Sequence, residues 1–282
     1  MNSFQKLQEG IDPKYFENLK ECYPLKSNEG NRISPYVIVS SNKFVLHPVF
    51  QSYKFNQLKK ELEERRKLGL NIPEVVAIGK NAVLFEYMLG VELRPPLEDS
   101  EVDKIAKIHR LFVGEQVNAQ QFYRTVEKIK NNADTIRLYL GEEIKKLVEV
   151  FEDTSLEDHL FFTHGDWSYM NLLKERDIIK IIDLEQIDYA PQEYDLFRPL
   201  IRICNSEEQR KIYLSNFQQI SEKKLIAAAL MFYTLKISRH KYGFIDDAKQ
   251  AGLCTKKILD IGFDTNLEEI LKELKKVKRA DK

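Results

Sequence analysis

The stretch His164-Gly165-Asp166-Trp167-Ser168-Tyr169-Met170-Asn171, with Ile181-Ile182-Asp183-Leu184-Glu185 after it, decides how this chain is read. Asp166 and Asn171 stand five residues apart, and Asp183 follows Asn171 by twelve. In between, Leu172-Leu173-Lys174 and the apolar run Ile178-Ile179-Lys180-Ile181-Ile182 flank the turn Glu175-Arg176-Asp177. They read as two short strands tightly joined. Such a hairpin returns Asp183 to the loop from which it started, so a carboxylate, an amide and a second carboxylate are gathered.

Asp and Asn are common turn residues, and a turn followed by a strand accounts for any one of these positions. It does not account for three at this spacing. Phosphoryl transfer from a nucleotide needs one carboxylate beside the attacking hydroxyl and separate oxygen ligands for the magnesium on the leaving phosphates. Kinases place the base Asp and a metal-binding Asn five residues apart on one loop, and a second metal-binding Asp at the end of the next hairpin. On this chemistry Asp166 is the candidate catalytic base, with Asn171 and Asp183 the candidate metal ligands.

The segments HGDWSYMN and IIDLEQ resemble the HGDxxxxN and ID-x-E/D signatures of the aminoglycoside phosphotransferase and choline kinase superfamily, and Tyr194-Asp195-Leu196 resembles the YDL that follows them there. Protein kinases carry HRD and DFG instead. The HGD form and the lack of Gly after Asp183-Leu184 place the likeness with the small-molecule branch. The resemblance implies an α+β, bilobal protein-kinase-like fold. A small N-lobe, residues 1–88, would hold an antiparallel sheet and one helix; a larger, mainly helical C-lobe would span 89–282. It further implies ATP or another purine nucleoside triphosphate, Mg2+, and transfer of the γ-phosphoryl group to a hydroxyl of a small molecule such as a sugar, an amino alcohol or an aminoglycoside-like compound. His164 and Asp195 would be structural supports of the catalytic loop. Trp167, beside the base, and Glu185 would face the acceptor, with Glu185 alternatively a further acid near the metal.

The upstream half follows the same likeness. Residues 36–40 and 44–47 read as a hairpin closed by Ser41-Asn42, and Phe55 to Leu68 as a helix with Phe55, Leu58 and Leu62 on one face. Val75-Val76-Ala77-Ile78 and Ala82-Val83-Leu84-Phe85 supply two more strands around Gly79-Lys80-Asn81. Glu86 to Gly90 would then be the hinge, with Glu86 and Met88 meeting the adenine through backbone groups. Ser27 to Arg32 would be the phosphate loop, where Gly30 alone permits close backbone approach. Beyond the hinge, Val102, Ile105, His109 and Phe112 share a helical face, so His109 is read as a core residue, and Leu225 to Lys236 reads as an apolar helix.

One departure stands out. Where the resemblance calls for a strand-3 Lys paired with a helix Glu, this chain has His47; the Glu would be Glu61. Lys43 shares the face of His47 but lies four residues, or ~13 Å, down the strand. The phosphate contact would then fall to His47 as an imidazolium, or to Arg32 or Lys26. The departure also opens a second reading, a pseudokinase or nucleotide-binding scaffold with little turnover.

Composition bounds the rest. Lys plus Arg and Asp plus Glu are 44 each, so no net field draws nucleic acid or an anionic membrane. Cys22, Cys204 and Cys254 show no CxxC or His-Cys spacing and read as reduced thiols. No run approaches the ~20 apolar residues that span a bilayer, and the first residues lack the apolar core of a signal peptide. A cytoplasmic location is the expectation, with a nucleotide and a small acceptor as partners.

Overall fold

The computed structural model describes residues 3–25, 35–49, 54–117, 125–155, 159–263 and 265–280. The chain divides into two compact units, 1–94 with 169–188, and 95–168 with 189–282.

In the first unit, side-chain alternation builds an antiparallel sheet of β1 (Glu21–Pro24), β2 (Tyr36–Val39), β3 (Lys43–Pro48), β4 (Val75–Ile78) and β5 (Ala82–Glu86), in the order β1-β2-β3-β5-β4. Along β3, Phe44 and Leu46 are buried, while Lys43, Val45 and His47 occupy the opposite, half-buried face. The N-terminal segment, with helix α1 (Ser3–Leu7) and a 3-10 turn at Pro13–Phe16, had no assignment from sequence. It closes the core: Leu7 and Ile11 pack with Ile38, Phe44, Leu46, Ala82 and Leu84. Gly79 is required there, because a Cβ would stand 2.6 Å from Ile11 Cγ1 and 2.7 Å from the Glu9 carbonyl. Helix α2 (Lys54–Lys67) buries Phe55, Leu58, Leu62 and Arg65, one stripe at helical spacing, and Phe55 meets Phe85 edge-on at 5.7 Å.

The remaining strands are β6 (Val91–Glu92), β7 (Gln116–Val117), β8 (Leu160–Thr163), β9 (Leu172–Glu175), β10 (Ile178–Ile181) and β11 (Asp188–Ala190). β9 and β10 form the expected hairpin, turned at Arg176 with φ 54°, and β6 pairs with β9. That pairing explains why the first unit runs to Arg94, past the expected boundary at 88, and takes in 169–188. Gly90 permits it, since a Cβ there would lie 2.8 Å from that of Leu173.

The second unit is mainly helical. Its helices are α3 (Asp99–Val113), α4 (Thr125–Asn131), α5 (Ala133–Leu140), α6 (Ile144–Asp153), α7 (Gln192–Arg202), α8 (Glu207–Ser215), α9 (Glu222–Ile237), α10 (Ile245–Ile261) and α11 (Leu267–Ala280). Asp99 and Glu101 complement the positive start of α3, and Gly114 ends it by donating to the Arg110 carbonyl at 3.0 Å. Val102, Ile105, His109 and Phe112 form its buried face. α9, buried on every side from Leu225 to Thr234, packs against α7 and α10. The three cysteines are free thiols; burial pushes that of Cys204 up to about 12. Among the described residues no helix is long and apolar enough to cross a membrane.

Candidate active site

The acids and amide of the first unit are held by the β9–β10 hairpin. Asn171 ends a 3-10 turn, Tyr169–Asn171, and is buried; its carbonyl accepts from the Ile182 amide at 3.0 Å, closing the base of the hairpin. The next residue, Asp183, is left-handed (φ 61°, ψ 57°), a conformation that Asp tolerates better than most side chains but that still carries strain. Leu184, buried, anchors the following turn Leu184–Gln186 and so fixes Glu185 beside Asp183.

His47 enters this group from β3. Its Nε2 lies 3.2 Å from Asp183 Oδ1, and its Nδ1 lies 3.6 Å from Glu185 Oε2 and 3.2 Å from the Pro48 carbonyl. Burial pulls the imidazole pKa down, but the hydrogen bond and charge of Asp183, with the charge of Glu185, more than offset it, so the group titrates above an ordinary histidine. The three side chains offer donor atoms within 4.8 Å of one another.

In the second unit Asp195 organises the loop that carries Asp166. Fully buried at the start of α7, it accepts from the His164 amide (2.8 Å) and His109 Nε2 (3.1 Å) through Oδ2, and from the Gly165 amide (2.8 Å) through Oδ1. Burial alone would raise its pKa; these donors, His109 first, bring it below the usual carboxylate range. His109 goes the other way. Its desolvation outweighs Asp195 and lowers its pKa, leaving a neutral ring that donates from Nε2 and accepts from the Tyr213 hydroxyl at Nδ1, 2.8 Å away. His164 Nδ1 accepts from the Asp166 amide at 3.3 Å, so this ring, too, shapes the loop.

Asp166 itself is ion-paired with Arg198, a turn along α7 from Asp195. The same guanidinium donates to the Gly165 carbonyl at 3.2 Å and lies over the Phe232 ring at 4.9 Å.

The structure revises the expectations for Trp167 and for the Glu61 pairing. Trp167 is not an acceptor platform: it is 0% exposed, stacked on His109 at 4.1 Å and 14°, and lined by Phe112. Glu185 stands with His47 and Asp183. Glu61 gives its carboxylate to Arg65 at 2.7 Å, one turn along its own helix, and the partners of His47 are Asp183 and Glu185 instead. Lys43 lies over the Tyr87 ring at 3.9 Å. Glu86 closes β5 with its carboxylate near Arg66 and the Glu74 amide, and Met88, half-buried, follows two residues on. Gly30, Arg32 and Lys26 lie outside the described residues. Sequence reasoning missed Arg198, whose signal was its place three residues after Asp195, and Lys54, which binds Asp188 at 2.6 Å.

No protein-family model matches the chain, and no curated protein is matched by its sequence. Solved structures do match. The choline kinase LicA from Streptococcus pneumoniae superposes with a TM-score of 0.60 at 13% identity, over 89% of this chain and 96% of that one. A thermostable mutant of aminoglycoside phosphotransferase APH(4)-Ia, in ternary complex with ADP and hygromycin B, gives 0.63 at 15%, over 89% and 97%. The ADP-bound aminoglycoside phosphotransferase APH(2'')-Ib gives 0.58 at 16%, over 89% and 97%. The chain thus shares the α+β fold of these choline kinase and aminoglycoside phosphotransferase structures.

Proposed function

We propose that this protein is a phosphotransferase that uses a purine nucleoside triphosphate and a divalent cation to phosphorylate a hydroxyl of a small molecule. The observation that carries the reading is the pairing of Asn171 with the hairpin end: its carbonyl is tied to Ile182, and the strained left-handed Asp183 comes directly after. Strain of this kind is retained where a side chain must be aimed. Asn171 and Asp183 offer the hard oxygen donors that suit Mg2+, and they would hold it. A bound cation would neutralise charge on the phosphate oxygens. Asp166 would accept the proton of the acceptor hydroxyl, Arg198 would fix its carboxylate, and Asp195 with His164 and His109 would fix the loop. ADP and hygromycin B in the neighbouring structure support a nucleotide and a polyhydroxylated acceptor as the kinds of ligand to test.

A second reading, a nucleotide-binding scaffold, draws on one observation: the position expected to hold a phosphate-binding lysine is His47, engaged with Asp183 and Glu185. The deciding experiment measures nucleoside triphosphate consumption with a panel of sugars, amino alcohols and aminoglycosides. Acceptor-dependent turnover that Asp166→Asn removes supports the enzyme. Nucleotide binding without turnover for any acceptor overturns it in favour of the scaffold.

A further inference from the structure

We propose that the acceptor of this protein carries an anionic group, a phosphate or a carboxylate, held beside Asp166 by a cluster of Arg198, Arg202, Lys236 and Arg239. The inference deepens the phosphotransferase reading, on which it rests for the role of Asp166.

The cluster lies wholly in the second unit, on neighbouring elements. Arg198 and Arg202 stand one turn apart on α7, Lys236 is in the last turn of α9, and Arg239 is in the 3-10 turn Ser238–Tyr242 that continues α9. α7 packs on α9. Phe232, buried on α9, gathers two of the cations: Arg198 Cζ stands 4.9 Å from its ring centroid and Lys236 Nζ 5.0 Å. Arg198 also reaches the catalytic loop, through its ion pair with Asp166. An anion held here would sit next to the hydroxyl that Asp166 deprotonates.

Burial and charge argue for a ligand. The Arg198 side chain is 9% exposed, and its Nε is buried with no hydrogen-bond partner. A buried guanidinium donor costs free energy until an acceptor meets it. Lys236 is half-buried, and burial pushes its ammonium down to about 8. The charges of Arg239, Arg198 and Arg202 push the same way, against a weaker pull from Asp247 on α10. Like charges gathered in a partly desolvated place repel one another, and an oxyanion among them turns that repulsion into attraction. Guanidinium forks match the oxygens of phosphate and carboxylate. An aminoglycoside or a protonated amino alcohol would be repelled from the same place.

The test titrates the full chain, without nucleotide and at neutral pH, with glucose 6-phosphate, gluconate, glucose and glucosamine, and reads affinity by calorimetry. At least one of the two anions should bind roughly tenfold or more tightly than glucose, with glucosamine weakest. Comparing the two anions tells a phosphate site from a carboxylate site. Lys236→Gln and Arg202→Gln should each weaken the preferred anion about 10–100-fold, the span of one charge-assisted hydrogen bond, and leave the melting shift given by Mg2+ and ATP in place. Equal affinities across the set, tighter glucosamine, or anion affinity unchanged in both variants overturns the inference. Loss of the ATP shift in the variants overturns it as well, by assigning the cluster to the nucleotide. Turnover confined to neutral or cationic acceptors sinks the inference and keeps the phosphotransferase reading. Anion binding through Lys236 with no turnover of any acceptor upholds the anion site and ends the phosphotransferase reading.

Discussion

Arg198 is ion-paired with Asp166 and, through the same guanidinium, hydrogen-bonded to the Gly165 carbonyl one residue earlier. One planar cation thus fixes both the backbone and the side chain of the candidate base. Arg198→Lys keeps the charge but loses the fork. Turnover should fall about 10–100-fold, as expected for a misplaced reacting group, with nucleotide affinity little changed. Equal kcat in variant and wild type would show that Asp166 needs no such anchor.

Asp166→Asn preserves size and removes the proton acceptor. It should lower kcat by about 10²–10⁴ while nucleotide-induced stabilisation is retained. Unchanged residual turnover would exclude Asp166 as the base.

Magnesium and ATP together should raise the melting temperature. Ligand at 100 times its Kd adds about 2.7 kcal/mol, and for a chain of this size each kcal/mol corresponds to roughly 2–4 °C. Asp183→Ala should remove most of the metal-dependent part. A scan with millimolar purine nucleotides that shows no shift would contradict nucleotide binding.

Acid should destabilise the protein through the His109–Asp195 pair. His109 is held below its ordinary value, so below about pH 6.5 the unfolded chain takes up a proton that the folded chain refuses, and stability falls. Asp195, also depressed, adds a second loss as the pH drops through and below about 3.9. His47 works in the opposite sense: its raised pKa contributes stability below about pH 6.5 that is lost as pH rises through its folded value. Denaturant midpoints from pH 8 to 5 should therefore decline less in His109→Gln than in wild type. Parallel curves would remove His109 from the account.

Trp167→Ala should cost stability, about 3–5 kcal/mol for a large buried ring, and Trp167→Phe less. Because the ring is enclosed by His109 and Phe112, the KM for the acceptor should move little in the Phe variant. A selective rise in KM without loss of stability would return the residue to the acceptor site.

The sheet and its helix were legible because their signals are local. Alternation in Lys43–Pro48 and the spacing of Phe55, Leu58 and Leu62 need no knowledge of distant partners. The same holds for Asp166, Asn171 and Asp183, whose spacing reflects one loop and one hairpin. What sequence could not supply was long-range pairing. The engagement of His47 with residues some 136 positions away, or the seating of Leu7 and Ile11 under the sheet, follows from packing. Trp167 was misread for a related reason: a loop position next to a base looks exposed, and neighbours far upstream, His109 and Phe112 among them, bury it.

The pairing of β6 with β9, made possible by the bare backbone of Gly90, has a consequence for how the protein is born. A ribosome releasing residues in order presents the first 94 long before 169–188 exist. At roughly 5–20 residues per second the first unit waits about 5–20 s for the hairpin that completes it. Meanwhile β6 is an uncovered edge, open to mispairing. Nascent chains stalled before residue 169 should be captured by chaperones and cut by protease at Val91 and Glu92, and those stalled well beyond 188 should not.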